Sequence, residues 1–213
     1  MPPEPARVRP PLVNLEACWR SEEPDPLVQL ALIHAQFEII HPFRDGNGRI
    51  GRMLVPVFLY EKRLLGRPTF YLSQYFDMHR SEYIARLREL NGAQSWNAWV
   101  AFFLRALAAQ AEANSKKARG ILALYERLKS KAIALTRSEN AVPLLDRLFA
   151  QPVFASNDLF GQPGMPTKPV VTKLLTQLRE AGILKRMRAS SGRRAQVLAL
   201  AELVNLCEGK RVI

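Results

Sequence analysis

The stretch HPFRDGNGRIGR, His41 to Arg52, gathers a histidine, an acid, an asparagine between two glycines and three arginines into one short span. Gly46 and Gly48 lack a Cβ, so the backbone around Asn47 can turn tightly and aim several N–H groups at one point just before a helix begins. A helix N-terminus of that kind binds phosphate. Arg49 and Arg52 are spaced to share a helix face, where their guanidinium forks can grip a phosphate chain. Asp45 stands beside the turn, where a carboxylate can hold Mg2+ against phosphate oxygens. His41 is of the residue type that accepts a proton near neutral pH, so the set suggests a hydroxyl deprotonated beside a bound triphosphate. Phe43 reads as an apolar anchor for the loop.

A Gly-Asn-Gly turn is also an ordinary way to reverse a chain, and arginines in a first helical turn are commonly only solvated. The combination exceeds what a connecting loop needs. It is not a Walker A loop, because Gly-x-x-x-x-Gly-Lys-Ser/Thr is absent from the chain.

Helices must position this stretch. In DPLVQLALIHAQFEII, Asp25 is placed as an N-cap and Pro26 at the first helical position, with Leu30, Ile33, Phe37 and Ile40 at helical spacing and Pro42 marking the end. RIGRMLVPVFLYEKRLLG predicts a second helix, apolar on nearly every side, running to Gly66 with a kink at Pro56. SQYFDMHRSEYIARLREL and the long stretch from Ser95 to Leu135 predict at least two more, punctuated at Gly92. His34 falls on the apolar side of its helix and reads as a packed, hydrogen-bonded histidine, whereas His79 reads as a surface residue. Trp96, Trp99, Phe102 and Phe103 read as core.

From about Glu139 the pattern shortens to helix, short helix, helix, and then two alternating strands around Ser190 to Gly192. That order resembles a winged helix-turn-helix. Lys168 and Lys173 near its recognition helix, and Lys185, Arg186, Arg188, Arg193 and Arg194 on its wing, make a basic surface suited to the phosphates of DNA. A purely structural or protein-binding winged helix is the alternative. The expected division is a first domain over residues 1–133 and a second over 139–213, joined around Ser130 to Ser138.

The whole chain of 213 residues, 48% of them hydrophobic, is long and apolar enough for a real core, which excludes disorder as its main state. A formal net charge of +12 makes polyanions the expected partners. Two cysteines, Cys18 and Cys207, exclude a disulfide scaffold and a cysteine metal cluster and fit a reducing cytoplasm. With neither a signal sequence nor an apolar run long enough to span a bilayer, the expectation is a soluble, cytoplasmic protein with no membrane partner.

HPFRDGNGRIGR matches the Fic signature His-x-Phe-x-Asp/Glu-Gly-Asn-Gly-Arg-x-x-Arg at every specified position, and the chain resembles that family over roughly residues 25–125. The resemblance implies a mainly α fold, a Fic-type helical bundle followed by the small winged-helix (α+β) domain. It implies Mg2+-dependent transfer of AMP from ATP to a Ser, Thr or Tyr hydroxyl of a target protein, with release of pyrophosphate. His41 would be the base, Asp45 the metal ligand, Gly46, Asn47 and Gly48 the anion nest, Arg49 the β-phosphate ligand and Arg52 the γ-phosphate ligand. Tyr83 and Asn91 are similar to family positions near the adenine and ribose. Other uses of the same site are transfer from another nucleotide, removal of AMP, or nucleotide sensing within a DNA-binding regulator.

The chain departs from the family pattern twice. The inhibitory motif Ser/Thr-x-x-x-Glu-Gly/Asn is absent, so inhibition would come from a missing N-terminal segment or a separate inhibitory chain, or be lacking altogether. The segment before the first predicted helix is also short. Residues 5–19, PARVRPPLVNLEACW, are expected to form at most the trailing end of a β-hairpin flap, in a chain that is N-terminally short for the family.

Overall fold

Two adjacent prolines do not keep the start of the chain out of a helix. The computed structural model describes residues 5–90, 93–191 and 194–213, and helix α1 runs Pro5–Arg20 with Pro10 and Pro11 inside it. This corrects the expected strand of a flap. Burial outweighs the prolines' missing donors: Leu15, Cys18 and Trp19 pack on the neighbouring core, with Trp19 edge-on to Phe58 at 5.0 Å and its Nε1 donating to Glu61 at 2.7 Å.

Helix α2, Pro26–Ile40, begins as its sequence predicts. Asp25 Oδ1 accepts the Leu27 N–H at 2.8 Å and the Val28 N–H at 3.2 Å, and Pro26 takes a position where no donor is needed. Helix α3 runs Asn47–Glu61 and stops short of Gly66, because Arg63 adopts a left-handed conformation at φ 58. Helices α4, Ser73–Met78, and α5, Arg80–Arg88, follow, and then α6, a 44-residue helix over Ala93–Thr136. The core of this part joins Leu30 and Ile33 of α2, Val55 and Phe58 of α3 and Trp99, Phe102 and Phe103 of α6. Trp99 Nε1 satisfies itself on the Ala31 carbonyl at 2.8 Å.

The chain forms two compact units, Met1–Asn114 and Ser115–Ile213. Their division falls within α6, earlier than the join expected around Ser130 to Ser138, because Leu124, Leu128 and Ala132 of that helix belong to the second core.

The second unit continues with α7, Ala141–Ala150, strand β1, Val153–Ala155, a 3-10 turn over Ser156–Leu159, and α8, Lys168–Glu180. Strands β2, Lys185–Arg188, and β3, Val197–Ala199, and helix α9, Ala201–Glu208, complete it. The helix, short helix, helix, two-strand order expected from the sequence is present, with β1 added to make an antiparallel sheet of order β1-β3-β2. Strand β1 was too short to carry an alternation pattern. Ser191 and Arg194 pair through two backbone hydrogen bonds, 3.1 and 2.9 Å, and part of the expected Ser190–Gly192 turn lies outside the described residues.

The molecule is thus mainly helical with one small three-stranded sheet. Among the described residues, no helix is long and apolar enough to cross a membrane.

Asp25 is exposed and acts only through its cap, so Asp25→Ala should cost about 1 kcal/mol in chemical denaturation, with Asp25→Asn retaining most of that. An unchanged midpoint for the alanine variant would show that α2 does not depend on its cap.

Candidate active site

The site is the reversal between α2 and α3, and two left-handed residues make it. His41 caps the end of α2 at φ 50, ψ 55, and donates its backbone N–H to the Phe37 carbonyl at 3.1 Å. Pro42 makes the right-handed alternative unfavourable for the residue before it. Gly46 then precedes α3 at φ 86, a value that glycine adopts without steric cost.

Asn47 holds the intervening loop. Its side chain is only 2% exposed, and its amide faces Phe43 both ways: Oδ1 accepts the Phe43 N–H at 2.9 Å and Nδ2 donates to the Phe43 carbonyl at 2.6 Å. The anion nest expected of Gly46, Asn47 and Gly48 is a backbone feature, and the Asn47 side chain serves the loop. What it can offer a ligand is its backbone N–H.

The first hydrogen bond inside α3 runs from Ile50 N–H to the Gly46 carbonyl at 3.0 Å, and no side chain caps the helix. The N–H groups of Asn47, Gly48 and Arg49 therefore come before the first intrahelical bond, at the positive end of the helix dipole. Arg49 and Asp45 meet at 3.2 Å, with side chains 73% and 92% exposed. An exposed ion pair of this kind is worth only about 0.2–1 kcal/mol, so an arriving phosphate can take Arg49 and a cation can take Asp45 with little loss. Arg52 is half-buried, and its Nη1 would lie 3.3 Å from a Cβ placed on Gly48. His41 is exposed at the rim, and Phe43 is 47% exposed, less buried than a loop anchor requires.

Asp45 is an exposed carboxylate just before the helix N-terminus, and no cluster of three or more His, Cys, Asp or Glu occurs among the described residues. That donor set fits Mg2+ held by one carboxylate with substrate phosphates supplying further oxygens, as Mg2+ is commonly bound.

Below the rim lies a buried polar column. His34 is 1% exposed, its Nδ1 donates to the Gly51 carbonyl at 3.1 Å, and its Nε2 accepts the Tyr83 hydroxyl at 3.0 Å. Burial lowers its pKa to about 4, only partly countered by the Gly51 hydrogen bond, so the ring is neutral and structural. Tyr83 is held by this bond and by stacking on Phe76 at 4.6 Å, and burial pushes its phenol up. The structure thus places Tyr83 under the site with its hydroxyl engaged. Asn91 lies outside the described residues. His79 is half-buried and stacks on Tyr75 at 4.1 Å.

Glu38, which no motif in the sequence marks, faces Gly51 from the last turn of α2 with a buried Oε1 that has no hydrogen-bond partner. A single acid in the apolar run AQFEII was its one signal.

In the second unit, Lys168, Lys173, Lys185, Arg186, Arg188 and Arg194 are all exposed, and every side chain of β2 faces solvent. Lys168 Nζ sits 5.2 Å above the Phe160 ring. Arg193 lies outside the described residues.

A model of the Fic/DOC family matches residues 1–59, which include the whole stretch from His41 to Arg52. A probable protein adenylyltransferase of Aquifex aeolicus is 39% identical over 89 residues, covering 41% of this chain and 25% of that protein. The chain therefore spans about a quarter of the length of this curated relative. The crystal structure of a Fic family protein from Desulfovibrio desulfuricans aligns with 92% of this chain and 56% of its own, at 23% identity and a TM-score of 0.49.

Loss of the Asn47 amide should free both backbone groups of Phe43. Asn47→Ala is expected to speed amide hydrogen exchange at Phe43 at least about tenfold, the equivalent of roughly 1.4 kcal/mol, with the Leu30 amide unaffected. Equal acceleration at both would mean general destabilisation and no local staple.

Proposed function

We propose that the chain is a Fic-type protein adenylyltransferase, which moves AMP from ATP to a hydroxyl side chain of another protein. The observation that carries this reading is the complete signature lying on one reversal, with the uncapped N-terminus of α3, Arg49, Arg52, Asp45 and His41 all belonging to it. The family match over residues 1–59 and the similarity to a probable protein adenylyltransferase support it.

In this reading the N–H groups of residues 47–49 receive phosphate oxygens, Arg49 holds the β-phosphate and Arg52 the γ-phosphate. Asp45 would hold Mg2+, which neutralises phosphate charge when bound. His41 stands at the rim, where an incoming Ser, Thr or Tyr can reach it, and accepts the hydroxyl proton as that oxygen bonds to the α-phosphorus. The bond from the α-phosphorus to the bridging oxygen breaks, and pyrophosphate leaves with that electron pair. Most of the acceleration comes from holding the reacting groups in line and offering fixed positive charge to the leaving group. Tyr83 acts beneath the site and supports its floor through His34.

The second unit is proposed to be a winged helix-turn-helix, with α8 as its recognition helix and β2 and β3 as its wing. The exposed basic residues of β2 favour contact with the phosphates of nucleic acid. A regulator that binds DNA and only senses nucleotide through the first unit is the competing reading.

With α-labelled ATP, Mg2+ and cell lysate, the wild-type chain should label a protein. His41→Ala should lose at least about 100-fold of that transfer while still binding ATP. Label undiminished in His41→Ala would remove the base assignment, and no label with either protein would favour the regulator. Separately, duplex DNA binding should weaken steeply between about 50 and 200 mM salt, and replacing Lys185, Arg186 and Arg188 by Glu should abolish it. Salt-insensitive or unchanged binding would exclude β2 as the contact.

A further inference from the structure

Glu38 has no role in the transfer as derived, yet its position is costly. A Cβ on Gly51 would lie 2.2 Å from Glu38 Oε1 and 3.1 Å from its Cδ, so the carboxylate rests directly on the backbone of α3. A Cβ on Gly48 would lie 4.0 Å from both carboxylate oxygens and 3.3 Å from Arg52 Nη1. Carboxylate and guanidinium thus converge on the same glycine, at the open end of α3. Oε1 is buried and has no hydrogen-bond partner, which destabilises the fold, and an apolar side chain would cover Gly51 without that loss.

Arg52 of α3, His41 at the end of α2 and the Tyr83 phenol of α5 lie close enough to act on its charge. Burial pushes the Glu38 carboxyl up, and Arg52 is the larger of the two influences that pull it back, ahead of His41.

We propose that Glu38 is a positioning residue, whose carboxylate, seated on Gly51, biases the Arg52 guanidinium toward Gly48 by charge rather than by an ion pair, so that it meets the outer phosphates of a nucleoside triphosphate. A long side chain restricted before binding loses less conformational freedom when the ligand arrives. The inference rests on the reading of Arg52 as a phosphate ligand. It differs from a packing role in acting only on ligands that reach Arg52.

The test is calorimetric binding of ATP and of AMP to the full chain, as wild type, Glu38→Gln, Arg52→Ala and the double variant. Glutamine keeps the size above Gly51 and removes the charge. Glu38→Gln is expected to weaken ATP roughly three- to tenfold, as for freeing one long side chain, and to leave AMP within about twofold. Combined with Arg52→Ala it should add nothing for ATP, because the two residues act as one unit. Unchanged or tighter ATP binding in Glu38→Gln, an equal loss for AMP, or additive effects in the double variant would each overturn the proposal. If Arg52→Ala alone leaves ATP affinity unchanged, the phosphate reading itself fails and takes this inference with it.

Discussion

The amide of Asn47 closes on the backbone of Phe43 through two hydrogen bonds, and the chain reversal between α2 and α3 is built around that closure. Asparagine fits because it carries a donor and an acceptor on one short, rigid group, so both Phe43 backbone groups are satisfied by a single buried side chain. Once the loop is closed, the positive φ of His41 and Gly46 follow as the conformations that let the chain leave one helix and enter the next. The consequence is chemical. A histidine at the end of one helix and uncapped N–H groups at the start of another are held at opposite ends of the same short loop, without either needing a long side chain to reach.

The close approach of α2 to α3 depends on a second constraint, Gly51. Its missing Cβ leaves room for Glu38, and its carbonyl accepts from His34. Neutral His34 in turn receives the Tyr83 hydroxyl, so a polar column runs from the rim into the aromatic core formed by Phe76, Trp99 and Phe103. Cores normally avoid such groups, and here all but the Glu38 oxygen are paired.

The reversal that carries the candidate site was legible because glycines flanking an asparagine between two helical patterns mark a turn. The start of α2 was legible too, since Asp25 and Pro26 act locally and need no tertiary partner. What the sequence hid depends on neighbours far along the chain. Helix α1 contradicts the local rule for Pro10 and Pro11 and forms because Trp19 finds Phe58 and Glu61. The two units divide within α6 because one unbroken helical pattern serves two cores, and only the partners of Leu124 and Leu128 reveal where the second begins. Glu38 could not be found from spacing, for its meaning lies in which glycine it rests on.

In the proposed function the N-terminus of α3 receives the phosphates of a nucleotide. The most direct measurement of this is a titration of the full chain with ATP, following each backbone amide by nuclear magnetic resonance. The Asn47, Gly48 and Arg49 amides are expected to shift most, saturating together, with amides of α8 and β2 unmoved. Saturable binding that leaves those three amides unchanged would contradict this reading.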